Sequence, residues 1–280
     1  MIEKISSQVY AEVGVRGCNH SFVVTSEGVV MIDTPQFPTD AVKWRQEITK
    51  FGPVLYIINT EPHGDHFSGN HFFEGTVVAH EGTRETILAT PVQQYKDMLK
   101  QMDPPSLPLV ENYGFRPPTI TLTDKMTIYL GKHTFQLVNL PGHTPFQVPV
   151  YVPEEKALFT SDNVVYKTMP FIPPQALPFE WIESLKKMQE LDTRVLVPGH
   201  GNICDKTYLP EMIASIQAWI DAVSDAIKKG MSLGETQNSV NLLDRYPPSP
   251  MPAERIAQIQ RMNVASVYEV LKKRAALAEL

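Results

Sequence analysis

The sequence predicts an α+β fold in which two β-sheets pack face to face with helices outside them. Strand-like segments rich in β-branched residues fall into two groups along the chain, and each group is followed by helical stretches. At 280 residues the chain can bury a substantial core, and no shift in composition marks a linker, so a single domain over 1–280 is expected.

In the first group the strand segments are 9–13, 21–25, 29–32, 54–59 and 76–79, with a helix over 39–50 between the third and fourth. After Glu81 the pattern turns helical to about 101, and the passage DPPSLPLVENYGFRPP that follows cannot continue a helix. The stretch 81–118 is therefore expected to be a helical, Pro-rich insertion or lid. The second group comprises 119–122, 126–130, 133–139, 148–152, 157–160 and 194–197, with helices over 179–191, 209–228 and 253–278. Gly230 and YPPSPMP punctuate the C-terminal helical region 206–280, whose last turns could serve as a subunit contact or as a cap on the sheet.

A net charge of −6 with no cluster of Lys and Arg argues against a nucleic-acid partner. No run is apolar enough to span a bilayer, and the opening MIEKISSQVYAEVG has no basic segment leading into an apolar one, so a cytoplasmic protein is expected. Cys18 and Cys204 are read as free thiols.

Chemistry concentrates in NTEPHGDHFSGN, which leaves the apolar strand VLYII and packs Glu61, His63, Asp65 and His66 into six residues. A loop leaving a buried strand can aim such side chains at one point, and imidazole and carboxylate are the usual ligands of zinc, manganese and iron. Three further elements follow, each read as a strand end beside turn residues: Pro141-Gly142-His143-Thr144, Thr160-Ser161-Asp162-Asn163 and Pro198-Gly199-His200-Gly201.

In these residues the chain resembles the metallo-β-lactamase superfamily, whose signature is a strand-end Asp, then HxHxDH, then His, Asp and His. The resemblance covers about 22–201. It implies a four-layer αβ/βα sandwich of two mixed β-sheets with helices outside. It also implies a two-metal site in which His63 and His143 belong to one cation, Asp65, His66 and His200 to the other, and Asp162 bridges them. Asp33, in VVMIDT, matches the first motif and is carried as a catalytic candidate, with orientation of a ligand as its expected role. The departure is Glu61, where the family usually has histidine. A carboxylate still coordinates, so two divalent ions are expected, zinc first, with manganese or iron favoured by the added negative charge.

What the resemblance implies is hydrolysis of a small acyl substrate, a lactone, lactam, ester or thioester, by a water ionised between two metals, with Asp65 able to carry its proton. The alternative is a non-haem iron oxygenase or redox protein, because Glu61-His63-His143 and Asp65-His66-His200 are each two histidines with one carboxylate. A third reading is a non-catalytic binding protein. Tyr166, Met169, Phe171 and Ile172, following Asp162, and Met102, Leu107 and Phe115 of the insertion are candidate walls of a substrate pocket. His20, His71, His80 and His133 lack partner motifs and are read as structural. Phe146 has no role readable from sequence.

Overall fold

The computed structural model describes residues 2–249 and 251–278. A seven-stranded sheet runs in chain order through β1 (Glu3–Lys4), β2 (Val9–Glu12), β3 (His20–Val24), β4 (Val29–Ile32), β5 (Val54–Ile58), β6 (Thr76–His80) and β7 (Ile120–Leu122). Its first four strands are antiparallel, and the pairs from β4 to β7 are parallel. The second sheet has β8 (Lys125–Leu130), β9 (His133–Val138), β10 (Val150–Val152), β11 (Ala157–Val165) and β12 (Val195–His200), antiparallel except where β11 meets β12. Both sheets are thus mixed.

The alternation of side chains along each strand sorts the core into layers. Between the sheets, Val9, Val23, Val30, Ile32, Ile58 and Val78 meet Phe135, Leu137, Val150, Val152, Phe159 and Val197. Residues of opposite parity on the first sheet, Phe22, Met31, Ile57 and Val77, face outward to α1 (Pro38–Ile48) through Trp44 and Ile48. On the second sheet, Leu158 and Leu196 face Trp181 and Leu185 of α5 (Pro178–Gln189) and Ile216 and Trp219 of α6 (Leu209–Lys228). The long helix α8 (Ala253–Ala278) packs on α6, burying Val264 and Val267. The four layers expected from sequence are present.

The remaining helices are α2 (Gly64–Phe67), α3 (Glu81–Ala89), α4 (Val92–Met102) and α7 (Leu233–Ser239). The single helix expected from 81 to 101 is divided at Pro91, which disfavours helical backbone at Thr90. With α4 and a Pro-rich 3-10 turn, this segment forms the crossover from β6 to the parallel β7 and lies on the outer face of the first sheet. Among the described residues no helix is long and apolar enough to cross a membrane.

Candidate metal centre

The site opens at the C-terminal ends of the central strands. Asp33 follows β4, Glu61 and His63 lie on the loop leaving β5, and one turn of α2 brings Asp65 and His66 round to the same point. His143 comes from the loop after β9, and His200 ends β12. Asp162 lies within β11 rather than at a strand end: the strand continues to Val165 through register shifts, and Ser161 takes a left-handed φ of 54° that redirects the chain.

Seven donors converge there. One set is Glu61, His63 and His143, and a second is Asp65, His66 and His200, with the potential ligand atoms of each set lying within 4.8 Å of one another. Nδ1 of His63 is 2.9 Å from Glu61 Oε2 and 3.1 Å from Nε2 of His143. Nε2 of His200 is 3.4 Å from Asp65 Oδ2. Asp162 stands between the sets, its Oδ2 3.7 Å from His143 Nε2 and 3.4 Å from His200 Nε2, and its Oδ1 3.4 Å from His66 Nε2.

These residues fit divalent cations. Glu61 Oε2, His66 Nε2 and Asp162 Oδ1 are buried and make no well-aligned hydrogen bond, although each lies within 2.9–3.4 Å of another donor of the cluster, a cost that a coordinated ion removes. Nitrogen and carboxylate oxygen donors suit zinc, manganese and iron. Without cations the carboxylates draw protons onto the rings: burial would lower His63 and His200, but Glu61 raises His63 to about 9, and Asp162 with Asp65 raises His200 to about 10. Burial also opposes ionisation of Glu61 and Asp162, yet the adjoining histidines hold both below the usual carboxylate range. His143 goes the other way, lowered by burial, and stays neutral.

Asp33 stands behind this cluster and not at its front. Its Oδ1 accepts from the Thr60 amide at 2.8 Å, while Oδ2 accepts from the Thr60 hydroxyl at 2.6 Å and lies 2.9 Å from His66 Nδ1. His66 therefore presents Nε2 to the centre. Buried Cys18 supports the same turn by donating to the Asp65 carbonyl at 3.0 Å. Outer contacts not anticipated from sequence hold the first set. The Phe171 carbonyl lies 2.9 Å from His143 Nδ1, Asn163 Oδ1 accepts from the His143 amide at 3.0 Å, and the Gln175 amide lies 3.1 Å from His63 Nε2. Only Asn163, beside Asp162, carried a signal of position.

The residues expected to wall a substrate pocket are placed in different surroundings. The Phe171 ring does flank the site, 6.1 Å from the His143 ring, but Ile172 is fully buried in the core. Tyr166 packs on Tyr208, and Met169 lines a separate cavity of about 410 Å³ with Leu243, Tyr246 and Ile256. In the 81–118 segment Met102 is 62% exposed, whereas Leu107 and Phe115 pack in the aromatic layer outside the first sheet. That segment buttresses the ligand turn from behind: Phe115 meets Phe67, and the Tyr113 hydroxyl donates to the Ser68 carbonyl at 2.6 Å. A larger cavity of about 780 Å³, lined in part by Arg16, His20 and Trp44, contains none of the seven donors.

The other histidines lie outside the cluster. His80 caps α3 by accepting from the Gly82 amide, His71 faces the Gly114 carbonyl, His133 pairs with Glu155, and His20 packs edge-on to Trp44. Phe146 stacks on His80 and fills the space above Gly82, where a Cβ would collide with its ring.

A family model described as the metallo-beta-lactamase superfamily matches residues 13–200, most of the chain and the whole donor set. The chain belongs to this superfamily. It is 21% identical over 257 residues to a linear primary-alkylsulfatase of Pseudomonas sp. (strain ATCC 19151), covering 79% of this chain and 49% of that protein. It is 25% identical over 217 residues to the 2,4-dinitroanisole O-demethylase subunit alpha of Nocardioides sp. (strain JS1661), covering 74% and 59%. The chain thus spans about half of the length of the first of these relatives and under two thirds of the second. Among solved structures, a metallo-beta-lactamase family protein from Thermus thermophilus superposes with a TM-score of 0.70 at 17% identity, covering 98% of this chain and 96% of that one. The sec-alkylsulfatase Pisa1 from Pseudomonas sp. gives 0.69 at 17% identity, covering 96% of this chain and 49% of the other. These superpositions establish the shared fold.

Proposed function

We propose that this superfamily member is a dinuclear metal-dependent hydrolase of a small acyl substrate: a lactone, lactam, ester or thioester. The position of Asp162 carries the reading. Its carboxylate lies within 3.4–3.7 Å of histidine nitrogens from both donor sets, as a residue shared by two cations must. When bound, two divalent ions supply a water ionised near neutral pH and a Lewis acid for the substrate's carbonyl. Glu61, His63 and His143 would hold one, and Asp65, His66 and His200 the other, with Asp162 between. Zinc is the first expectation, and the carboxylate of Glu61 shifts preference toward manganese or iron.

The protein's own groups set the rest of the chemistry. The side chain of Asp65 is 22% exposed, against 8% for Asp162 and none for Glu61, so Asp65 is the carboxylate able to take a proton and pass it to solvent. Asp33 and Thr60 fix the His66 ring, and the ring of Phe171 supplies apolar surface beside His143. The expectation of a small-molecule substrate and no nucleic-acid partner is supported by the net charge of −6, which disfavours binding to phosphate backbones.

The iron-dependent redox reading keeps one specific observation in its favour, since each donor set is two histidines with one carboxylate. Elemental analysis of protein purified without added metal, paired with a turnover screen, separates the two. The screen takes chromogenic lactones, lactams, esters and thioesters, and, because relatives are named for them, an alkyl sulfate and an aryl methyl ether. Two metals with acyl hydrolysis support the proposal; one iron with oxygen uptake supports the alternative.

A further inference from the structure

The backbone from Pro170 to Pro174 reads Pro-Phe-Ile-Pro-Pro and lies outside any helix or strand. Three prolines leave it few amide donors for a ladder or a helical turn. It is held instead by one side chain from far along the chain. Asn263, on α8 and fully buried, accepts from the Ile172 amide at 2.7 Å through Oδ1 and donates through Nδ2 to the Pro170 carbonyl at 2.8 Å. These two bonds bracket Phe171, whose carbonyl lies 2.9 Å from His143 Nδ1. Further along the same stretch, Gln175 lies 3.1 Å from His63 Nε2.

We propose that Asn263 is a positioning residue for the first metal site: it clamps Pro170–Ile172 so that the Phe171 carbonyl holds the proton of His143 on Nδ1 and turns Nε2 toward the cation. The inference rests on the reading of His143 as a ligand. A carbonyl only accepts, so its partner nitrogen must carry the ring proton, and the other nitrogen is left bare for a metal. A side-chain amide carries its acceptor and its donors on separate atoms, so Asn263 can accept from Ile172 and donate to Pro170 at once, and its burial is tolerable because both halves are used. The helix supplying it lies beyond residues 13–200, so a segment outside the family match shapes the ligand geometry.

The test uses chelator competition on wild type, Asn263→Ala and Asn263→Asp, and nitrogen-detected NMR of histidine-labelled, metal-free wild type. Asn263→Asp keeps the acceptor for Ile172 and loses the donor to Pro170. Both variants are expected to lose about 10–100-fold in affinity at the first site while the second site is unchanged, the usual effect of removing an outer partner of a ligand. His143 in wild type is expected as a single tautomer protonated at Nδ1. Equal weakening of both sites, or unchanged affinity at the first, overturns the proposal, as does a His143 protonated at Nε2, which is readable even if neither variant folds. Wild type that takes up no metal overturns the dinuclear reading itself and this inference with it.

Discussion

Oε1 of Glu61 lies 3.0 Å from Nε2 of His66, although the proposed assignment puts these two residues on different cations. The other oxygen of the same carboxylate faces His63 Nδ1 at 2.9 Å. Glu61→Ala is therefore expected to empty the first site and to weaken the second about tenfold or more. Glu61→His should refill the first site with preference moved toward zinc. Metal content with site-resolved competition checks both, and full occupancy in Glu61→Ala would remove Glu61 from the ligand set.

Asp33→Asn tests the rear of the centre. An amide nitrogen in place of Oδ2 would donate to His66 Nδ1, push the ring proton to Nε2 and block the atom that faces the cation. It would also meet the Thr60 hydroxyl that now donates to Oδ2. Affinity at the second site should fall about 10–100-fold, and the fold should lose about 1–3 kcal/mol from the disrupted buried bonds. Thermal melts and metal titration measure the two effects separately.

Gly199 packs its backbone directly against the Asp162 carboxylate. A Cβ there would collide with Asp162 Oδ1 and would stand 2.5 Å from the Ser161 carbonyl carbon, which cannot swing aside. Gly199→Ala should displace the shared carboxylate, lower occupancy of both sites, and destabilise the protein by about 1–3 kcal/mol. Gly114→Ala, with nothing within 4 Å of the added carbon, serves as the control and should match wild type in metal content and stability.

The pH dependence follows from the raised histidines. His63 and His200 titrate near 9 and 10 in the metal-free fold against an ordinary value of 6.5, so their contribution to stability is fully present below about pH 6.5 and is lost as pH rises through 9 to 10. Ligating imidazole must be neutral, so metal uptake at pH 7 should release protons, and affinity should fall on acidification. Indicator titration in weak buffer reads the release directly. Uptake with no proton release would contradict these assignments.

Much of the fold was legible because its strands alternate buried faces over short, bounded runs: 29–32, 209–228 and 253–278 coincide with the observed elements, and most others differ by one or two residues. The convergence of the donor side chains was legible because ligand types crowd one turn and recur beside Pro-Gly dipeptides. Three things were not. The extension of β11 past Thr160 depends on the left-handed Ser161, a tertiary demand without local signal. The Pro-rich 81–118 segment read as an insertion or lid because proline excludes helix but says nothing of which face a loop covers; aromatic packing of Tyr95, Tyr113 and Phe115 places it on the outer face of the first sheet. The contacts of Phe171 and Gln175 to the histidines run through a carbonyl and an amide, groups that almost any sequence supplies.

The most direct measurement is an anomalous difference map from crystals of the protein as purified, collected at the absorption edge of the metal found by elemental analysis. Two peaks about 3.5–4 Å apart, with the Asp162 carboxylate between them and Glu61 beside the first, are expected. A single peak away from Asp162, or none among the seven donors, would contradict a dinuclear centre.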